Sequence, residues 1–466
     1  MKEKLAEIDQ PADGEGQTQE TLVSEQPQSV QDAQTEIKLF VRFQRLFEIV
    51  LIVFGLYAMY MYLPHYVLGT DAQIRFRAIS DLLTYGRIPH MKYSLVGPAF
   101  SMPFWLLGKV YESSIWWCER YNLFVFAFGL LVMYFLLKDR IDRSLLHKFL
   151  LILIVASMFG NHITNYYSEV FTAICVGVGI LAITIGPRLV GWSAIVLGVV
   201  NAPATLLGLC CVVFKQVYDS RRLRYILAVV AAAMLIMTEA WIRRGSPFNG
   251  GYGGEPGFGF SFIALISILF SFGKGLLFFA PGLVLPIRKS VLRMQRGIKL
   301  ELYRVYLLWM CFLVGMILVY SSWWAWYGGW FWGPRFFLFA SIPASFAIAV
   351  RLHYRNTSLA INLLTAVVFL LSVWVGIDGA VFDQKTLQGV CTRVGDVCLY
   401  QLQLSVLVRP FLAHSQISSY EAYFVVYSLI VALYLAIPLG ATIVQQVVDL
   451  AKNYGIIFLK YKEWRF

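Results

Sequence analysis

The chain has 466 residues, of which 59% are hydrophobic and only 14% charged, and its mean hydropathy of +0.66 excludes a soluble globular protein. Its formal net charge of +12 would suit a nucleic-acid-binding protein, but the basic residues cluster in short loops between apolar runs. That distribution is typical of the inner side of membrane proteins. The sequence therefore predicts an all-α, polytopic integral membrane helix bundle without a nucleic-acid partner.

The N-terminal segment, residues 1–37, is rich in Gln, Glu, Thr, Asp and Pro and is too polar to bury a core. It also lacks the layout of a signal peptide, so we predict a disordered cytoplasmic tail. Basic residues precede the first apolar run, 46–63, and favour an inside N-terminus. The predicted divisions are the tail 1–37, a transmembrane domain 38–450 and a basic cytoplasmic tail 451–466.

The stretch after the first span, residues 64–93, carries an acid on an amphipathic helix. Four apolar residues recur at helical spacing, which predicts a helix lying on the membrane surface, ended by Gly86 and Pro89. These apolar residues are Ile74, Ala78, Ile79 and Leu82. Asp71 falls in its first turn, where it could cap the helix and pair with Arg75, or serve as a catalytic carboxylate.

The next apolar run, 94–110, contains Pro98 and Pro103. Counting it as a span would place the basic loop 138–148 outside, so we predict a second interfacial or re-entrant segment. The first outer loop is then 64–119.

The later apolar runs complete a prediction of about 12 transmembrane spans with both termini inside. This topology places about two thirds of the 39 Lys and Arg residues on the inner side. Several runs are shorter than the roughly 20 residues that cross a bilayer, so we expect those helices to be buried in the bundle or to extend further. The predicted spans are 46–63, 120–137, 148–160, 169–186, 189–200, 202–214, 225–241, 261–287 with a break at Gly273, 305–320, 336–350, 357–376 and 421–447.

The unusual stretches between the predicted spans then face the outer side, and one of them holds a second carboxylate. Glu169 follows His162 in the tract NHITNYYSE between predicted spans 3 and 4. Paired acids on one side suit glycosyl transfer. The alternatives are that Glu169 favours a helix N-terminus and that His162 is a structural hydrogen-bonding residue.

Two basic residues also lie at predicted outer positions. Lys274 stands between Gly273 and Gly275, where glycines let a backbone approach an anion, although a lysine reaching to the membrane interface gives the same pattern. Arg335 follows the aromatic tract 321–334. An aromatic belt explains that tract, which includes Tyr327 and Trp332, but not the arginine, the best bidentate phosphate ligand.

The seven cysteines show no metal-ligand spacing, and we predict no metal site. Five of them lie in or beside apolar runs, where cysteine acts as a small hydrophobic residue. Cys391 and Cys398 share the last predicted outer loop, 377–420, where we favour a disulfide over two free thiols.

Four tracts, in this order, carry a resemblance to a known family: DAQIRFRAISDLLTYGRIP with YSLVGPAFSMPFWLLGK, NYYSEVFTA, GYGGEPGFGFSFIALISILFSFGKGLLFFAPGLVL, and WYGGWFWGPRFFLFASIP. The chain resembles the C-type superfamily of membrane glycosyltransferases, which includes protein mannosyltransferases and lipid A aminoarabinose transferases. The similarity covers most of residues 46–350.

The resemblance implies an enzyme that takes a sugar from a polyprenyl or dolichyl phosphate carrier on the outer or lumenal side. Asp71 matches the catalytic acid near the end of span 1, and Glu169 matches an acid after span 3. Arg335 and Lys274 match basic positions near the carrier phosphate. Some members have a second acid beside the first, where this chain has Ala72.

Together these patterns predict a glycosyltransferase in the cell inner membrane that needs no cofactor. It would move a sugar from a polyprenyl phosphate to a hydroxyl of a lipid, glycan or protein acceptor. Asp71 would be the catalytic base. Substrate would be bound by Glu169, His162, Lys274, Arg335, Trp332 and Tyr327. The alternatives are a secondary transporter, which should show charges near the bilayer midplane, and a lipid-linked oligosaccharide ligase or polymerase, which usually has a large late loop.

Overall fold

The computed structural model describes residues 28–67, 70–111, 113–253, 255–294, 301–382, 385–412 and 417–463. The chain divides into two units, one ending at Phe47 and one starting at Glu48. In the first, the described part is the beginning of helix α1; the cavity and the candidate site belong to the second.

The fold is all-α, as the sequence predicts. The described residues form 22 α-helices and five short 3₁₀ helices, and their only β-type pairing is two isolated bridges. The α-helices are α1 (Gln28–Tyr62), α2 (Thr70–Tyr85), α3 (Val96–Phe100), α4 (Met102–Val110), α5 (Ser114–Glu119), α6 (Tyr121–Leu137), α7 (Arg143–Val155), α8 (Phe159–His162), α9 (Glu169–Ile185), α10 (Arg188–Asn201), α11 (Leu206–Ser220), α12 (Ile226–Arg244), α13 (Phe262–Phe270), α14 (Leu276–Phe279), α15 (Arg288–Met294), α16 (Leu302–Tyr320), α17 (Ser341–His353), α18 (Leu359–Val381), α19 (Lys385–Val394), α20 (Val397–Tyr400), α21 (Arg409–Leu412) and α22 (Ser419–Glu463). The 3₁₀ helices are Pro203–Thr205, Leu223–Tyr225, Pro281–Val284, Arg335–Ala340 and Leu402–Leu404.

Six helical stretches within the described residues are long and apolar enough to cross a membrane, which is consistent with an integral membrane protein. They are Val41–Tyr62, Leu223–Arg244, Leu302–Tyr320, Arg335–His353, Leu359–Val381 and Ser419–Asn453. The predicted number of twelve spans is not confirmed, because the other predicted spans correspond to shorter helices. Of these, α7 is buried along almost its whole length, as expected for a short helix inside a bundle.

The bundle is built from pairs of neighbouring helices: α9 packs on α10, α11 on α16, α17 on α7, and α18 on α22. Gly208 of α11 and Gly315 of α16 face each other so closely that a Cβ on Gly315 would lie 2.6 Å from the Gly208 Cα. Small residues permit this approach, because packing between membrane helices depends on close backbone contact.

Two predicted segments break into short pieces that carry site residues. The predicted span 261–287 contains α13, a turn over 271–275 that includes the predicted break at Gly273, α14 and the 3₁₀ helix Pro281–Val284. The aromatic tract 321–334 forms turns instead of a helix, and Gly328 and Gly329 adopt φ of +74° and +80°. Such backbone angles favour glycine.

Three further predictions concern the termini and the last loop. Helix α1 begins at Gln28, within the predicted tail 1–37, while residues 1–27 lie outside the described part of the chain. In the predicted tail 451–466, α22 continues to Glu463. The predicted disulfide is confirmed: Cys391 and Cys398 are bonded, with Cα atoms 5.6 Å apart.

Candidate active site

Asp71 lies in the first turn of α2, where the sequence predicts it, and is 7% exposed. Its Oδ2 accepts a hydrogen bond from Arg335 Nη2 at 2.7 Å. Its Oδ1 accepts a short hydrogen bond from the hydroxyl of Tyr93. Both donors come from other segments of the chain, so a local helix-capping role does not account for these contacts.

Arg335 joins Asp71 to the second predicted acid. Arg335 Nε lies 3.8 Å from Glu169 Oε1, and Glu169 is in the first turn of α9. The guanidinium carbon also lies 4.5 to 5.5 Å from the centroids of three aromatic rings, which adds cation–π attraction. These rings belong to Tyr167, Phe331 and Phe336. The structure therefore brings Asp71, Glu169 and Arg335 together from three distant parts of the sequence.

Two buried guanidinium groups in this site keep donors without a hydrogen-bond partner among the described residues. They are Nε and Nη1 of Arg335 and Nε and Nη1 of Arg75. The Arg75 guanidinium lies over the ring of Tyr93, 4.6 Å from its centroid. Leaving a buried charged donor unpaired costs free energy, so such donors are suited to receive an anion.

These side chains line one large cavity of about 1050 Å³. Part of its wall is apolar and formed by the ends of α11, α12 and α16, including Leu206, Ile236 and Met316. The rest is charged, with five basic and four acidic residues. The charged residues are Asp71, Arg75, Lys92, Glu169, Glu239, Arg243, Arg244, Glu255 and Arg335. A cavity lined by both apolar and charged side chains fits an amphiphilic ligand that carries an anionic group.

Tyr93 is held beside Asp71 by a pair on α12 that the sequence analysis missed. Arg243 donates hydrogen bonds from Nη1 to the carbonyls of Met91, at 2.8 Å, and Tyr93. Glu239 pairs with Arg243 at 2.9 Å, and its Oε1 accepts from the Leu95 amide at 2.6 Å. An acid inside the predicted span 225–241 was the available signal, since carboxylates within membrane segments usually have a role.

The other predicted substrate-binding residues divide into two groups. Tyr327 lines the cavity, whereas His162, Trp332 and Lys274 are not among its lining residues. His162 is buried, donates from Nδ1 to the Met158 carbonyl at 3.0 Å, and has its pKa lowered to about 4 by burial, so it is neutral.

Trp332 and Lys274 point away from the cavity into the protein. Trp332 donates from Nε1 to Asp378 Oδ2 at 2.7 Å, and both residues are buried. Lys274 is bonded to backbone carbonyls of the aromatic tract. Direct contact of these two side chains, or of His162, with a ligand in the cavity is therefore not supported by the geometry.

The charge on Asp71 is stabilised in this site. Burial alone would raise the pKa of Asp71, but the Arg335 charge and the hydrogen bonds from Tyr93 and Arg335 outweigh it and lower that pKa below its ordinary value. The pKa of Tyr93 changes in the opposite direction: burial and the neighbouring Asp71 carboxylate both raise it. Asp71 is therefore an anion at neutral pH and Tyr93 a neutral donor.

Among the described residues, no three His, Cys, Asp or Glu side chains are grouped as ligands for a metal ion. The positive charge between Asp71 and Glu169 is that of Arg335.

Comparison with solved structures gives matches at low identity. The crystal structure of ArnT from Cupriavidus metallidurans bound to undecaprenyl phosphate matches with 16% identity and a TM-score of 0.46. The apo structure of the same protein matches with 15% identity and a TM-score of 0.43. Each match covers 88% of this chain and 78% of that one. At these scores the two matches carry no conclusion about the fold or the site of this chain.

Neither a protein-family model nor a curated protein sequence matches the chain.

Proposed function

We propose that this protein is a membrane glycosyltransferase that moves a sugar from a polyprenyl phosphate carrier to an acceptor hydroxyl. The observation that carries the proposal is the position of Arg335 between Asp71 and Glu169, on the wall of a cavity that is lined by both apolar and charged side chains. The sequence resemblance to the C-type superfamily supports the same substrate class. We further propose that the cavity opens to the outer face of the cell inner membrane, with both termini cytoplasmic.

In this proposal the carrier phosphate binds to the two guanidinium groups that have unused donors, those of Arg335 and Arg75. Phosphate oxygens accept from several N–H donors at once, which suits planar guanidinium groups. The polyprenyl chain lies along the apolar wall. The sugar then lies between the phosphate and Asp71, and Glu169 orients the sugar or the acceptor.

Transfer proceeds as a single displacement. The acceptor O–H gives its proton to Asp71, and the acceptor oxygen forms a bond to the anomeric carbon. The bond between that carbon and the phosphate oxygen breaks, and polyprenyl phosphate leaves with the electron pair. Arg335 and Arg75 stabilise the charge that develops on the leaving phosphate. Attack opposite the leaving group inverts the anomeric configuration.

Binding of the sugar donor also changes the pKa of Asp71, the proposed base. In the structure, Arg335 lowers the pKa of Asp71, which makes the carboxylate a weak proton acceptor. A phosphate bound to Arg335 offsets part of that positive charge, so the pKa of Asp71 rises when the donor is in place. Asp71 therefore becomes a stronger base at the step that needs one.

The proposal is tested with purified protein in lipid nanodiscs and a panel of defined polyprenyl-phosphate sugars, without and with candidate lipid, glycan and peptide acceptors. The expected result is release of polyprenyl phosphate and formation of an inverted glycoside with at least one sugar, and loss of both products in Asp71→Asn. A protein that binds these lipids but never cleaves the sugar–phosphate bond, while moving them across a vesicle membrane, would instead be a transporter.

A further inference from the structure

Lys274 is buried, yet it does not line the cavity. Its Nζ donates three hydrogen bonds to backbone carbonyls of the aromatic tract: to Gly329 at 3.0 Å, to Phe331 at 2.5 Å and to Gly333 at 2.8 Å. An ammonium group has three N–H donors, so these contacts use its full capacity. The lysine that the sequence places near a phosphate is thus committed to the protein backbone.

The three carbonyls belong to the segment that leads directly to Arg335. Carbonyls that point to one place repel each other, and outside regular structure they need a common donor, which here is the Lys274 ammonium. The Gly333 carbonyl also accepts the backbone N–H of Arg335 at 3.1 Å. One carbonyl oxygen therefore connects Lys274 to the backbone of Arg335.

The turn that carries Lys274 is itself held by the disulfide-bonded segment. The Gly273 amide donates to the Leu399 carbonyl at 3.1 Å, and Ser405 Oγ donates to the Phe272 carbonyl at 2.7 Å. A Cβ on Gly273 would lie 2.8 Å from the carbonyl oxygen of Cys398, so only glycine allows this contact without a shift. The turn that carries Lys274 is therefore held by the disulfide-bonded segment, and Lys274 in turn holds the aromatic tract.

From these contacts we infer that Lys274 is a positioning residue, which acts on catalysis by holding Arg335 against Asp71 and Glu169 and never touches the substrate. The inference rests on the proposed function for its effect on turnover, but its structural part stands on the contacts alone. It differs from a direct role of Lys274 at the carrier phosphate, which the sequence resemblance implies.

The first measurement needs no activity. Amide hydrogen exchange of residues 328–335 is compared in wild type, Lys274→Met and the control Lys148→Met. Lys148 is also buried, and its Nζ donates to Ser144 Oγ on α7, away from the cavity. We expect exchange in 328–335 to rise by about tenfold in Lys274→Met, and to be unchanged in the control. Unchanged exchange in Lys274→Met would overturn the inference.

The second measurement is a double-mutant cycle on sugar transfer with Lys274→Met and Arg335→Ala. If Lys274 acts through Arg335, Lys274→Met made in the wild-type protein lowers kcat/KM by roughly tenfold or more. The same change made in Arg335→Ala causes little further loss of kcat/KM. A direct phosphate contact, or a general loss of stability, gives the same loss in both backgrounds and contradicts the inference.

A pH profile supplies the third readout, because a merely structural role does not change it. Looser contact between Arg335 and Asp71 raises the pKa of Asp71, so the acid limb of kcat/KM moves to higher pH in Lys274→Met.

If Lys274→Met does not fold, Gly273→Ala shifts the same turn without removing a charge, and we expect the same changes at smaller size. Hydrogen exchange in 328–335 could rise in Lys274→Met while the wild-type protein transfers no sugar from any carrier. That result would contradict the proposed function but would support the role of Lys274 in holding the aromatic tract.

Discussion

Arg335 has the central position in the site because its charge serves two carboxylates and still leaves donors unused. Asp71, Glu169 and Arg335 together carry a net charge of −1, and the neighbouring Arg75 brings the group to neutrality. A phosphate ligand therefore meets two guanidinium groups whose charges are already balanced, so its binding draws on hydrogen-bond geometry as much as on charge. Lysine, with a point charge, would not reproduce that geometry.

Asp71→Asn should lower the transfer rate about a hundredfold or more, because the amide cannot accept the acceptor proton. The measurement is the initial rate at saturating donor, with folded protein quantified by size-exclusion chromatography. Asp81→Asn on the same helix is the matched control, since Asp81 does not line the cavity. Near-normal turnover by Asp71→Asn would remove the assignment of Asp71 as base.

Arg335→Ala should reduce kcat/KM by roughly tenfold to a hundredfold or more, because a charge-assisted hydrogen bond contributes about 1.5 to 3 kcal/mol. Arg335→Lys retains the charge without the planar fork and should be intermediate. Rates are measured against donor concentration for both variants, with the exposed Arg87→Ala as control. If Arg335→Ala uses the donor as wild type does, the phosphate site lies elsewhere.

Tyr93→Phe tests the protonation state of Asp71. The wild-type pKa of Asp71 is lowered, so under its proposed role as base the carboxylate accepts a proton above that pKa, and activity is lost only as the pH falls through it. Removing the Tyr93 hydroxyl takes away a hydrogen bond that stabilises the charged form. The acid limb of kcat/KM should therefore move up by about one pH unit or more. An unmoved limb would show that Tyr93 does not set the pKa of the group that titrates.

Among the single residues of the site, the sequence indicated three that the structure places together, Asp71, Glu169 and Arg335, although their roles remain predictions. It indicated Arg75 only as a helix partner of Asp71. It did not indicate Tyr93, because the importance of Tyr93 comes from which segments meet in three dimensions. It also could not show that Lys274 and Trp332 point into the protein, since a turn of irregular backbone has no periodicity from which a side chain's direction can be read.

Among the elements, the helices that correspond to continuous apolar runs of the sequence were predicted well. Helices α6, α9 and α10 lie within a residue or two of the predicted spans 120–137, 169–186 and 189–200. A helix, α2, is also present where the sequence predicts one after the first span, while its position at the membrane surface remains a prediction. The segments that were less predictable, 261–287 and 321–334, are rich in glycine and aromatic residues, and their conformation depends on contacts with distant chain segments such as Lys274 with Gly329.

The disulfide between Cys391 and Cys398 leads to a prediction for the last predicted outer loop. Blocking free thiols in the denatured, unreduced protein should leave these two unmodified, because they are bonded, while the other five react. The check is mass spectrometry of peptides before and after reduction.

The double variant Cys391→Ser, Cys398→Ser should also raise hydrogen exchange near Gly273. The reason is that the segment whose Leu399 carbonyl accepts the hydrogen bond from the Gly273 amide loses its closed loop. Full alkylation of both cysteines without reduction would contradict the bond.

In the whole molecule, the charged residues of the cavity and the basic loops of the sequence are segregated. The cavity brings together segments that the sequence analysis placed on the outer side, including the first loop, the start of α9 and the aromatic tract. The basic loops, such as that between α11 and α12, contribute no lining residue. The charge distribution from which the orientation of the chain is predicted thus also predicts the side from which the cavity is reached.

That orientation is testable with single cysteines introduced at opposite ends of the bundle. Phe248 lines the cavity and is 84% exposed, whereas Arg222 is exposed in the loop between α11 and α12. In intact cells, a membrane-impermeant maleimide should label Phe248→Cys directly, and Arg222→Cys only after permeabilisation, with the unsubstituted protein giving the background from its own cysteines. Protection of Phe248→Cys until permeabilisation would place the cavity on the cytoplasmic side and contradict the proposed orientation. The labelling pattern therefore decides the face of the reaction independently of any assay of turnover.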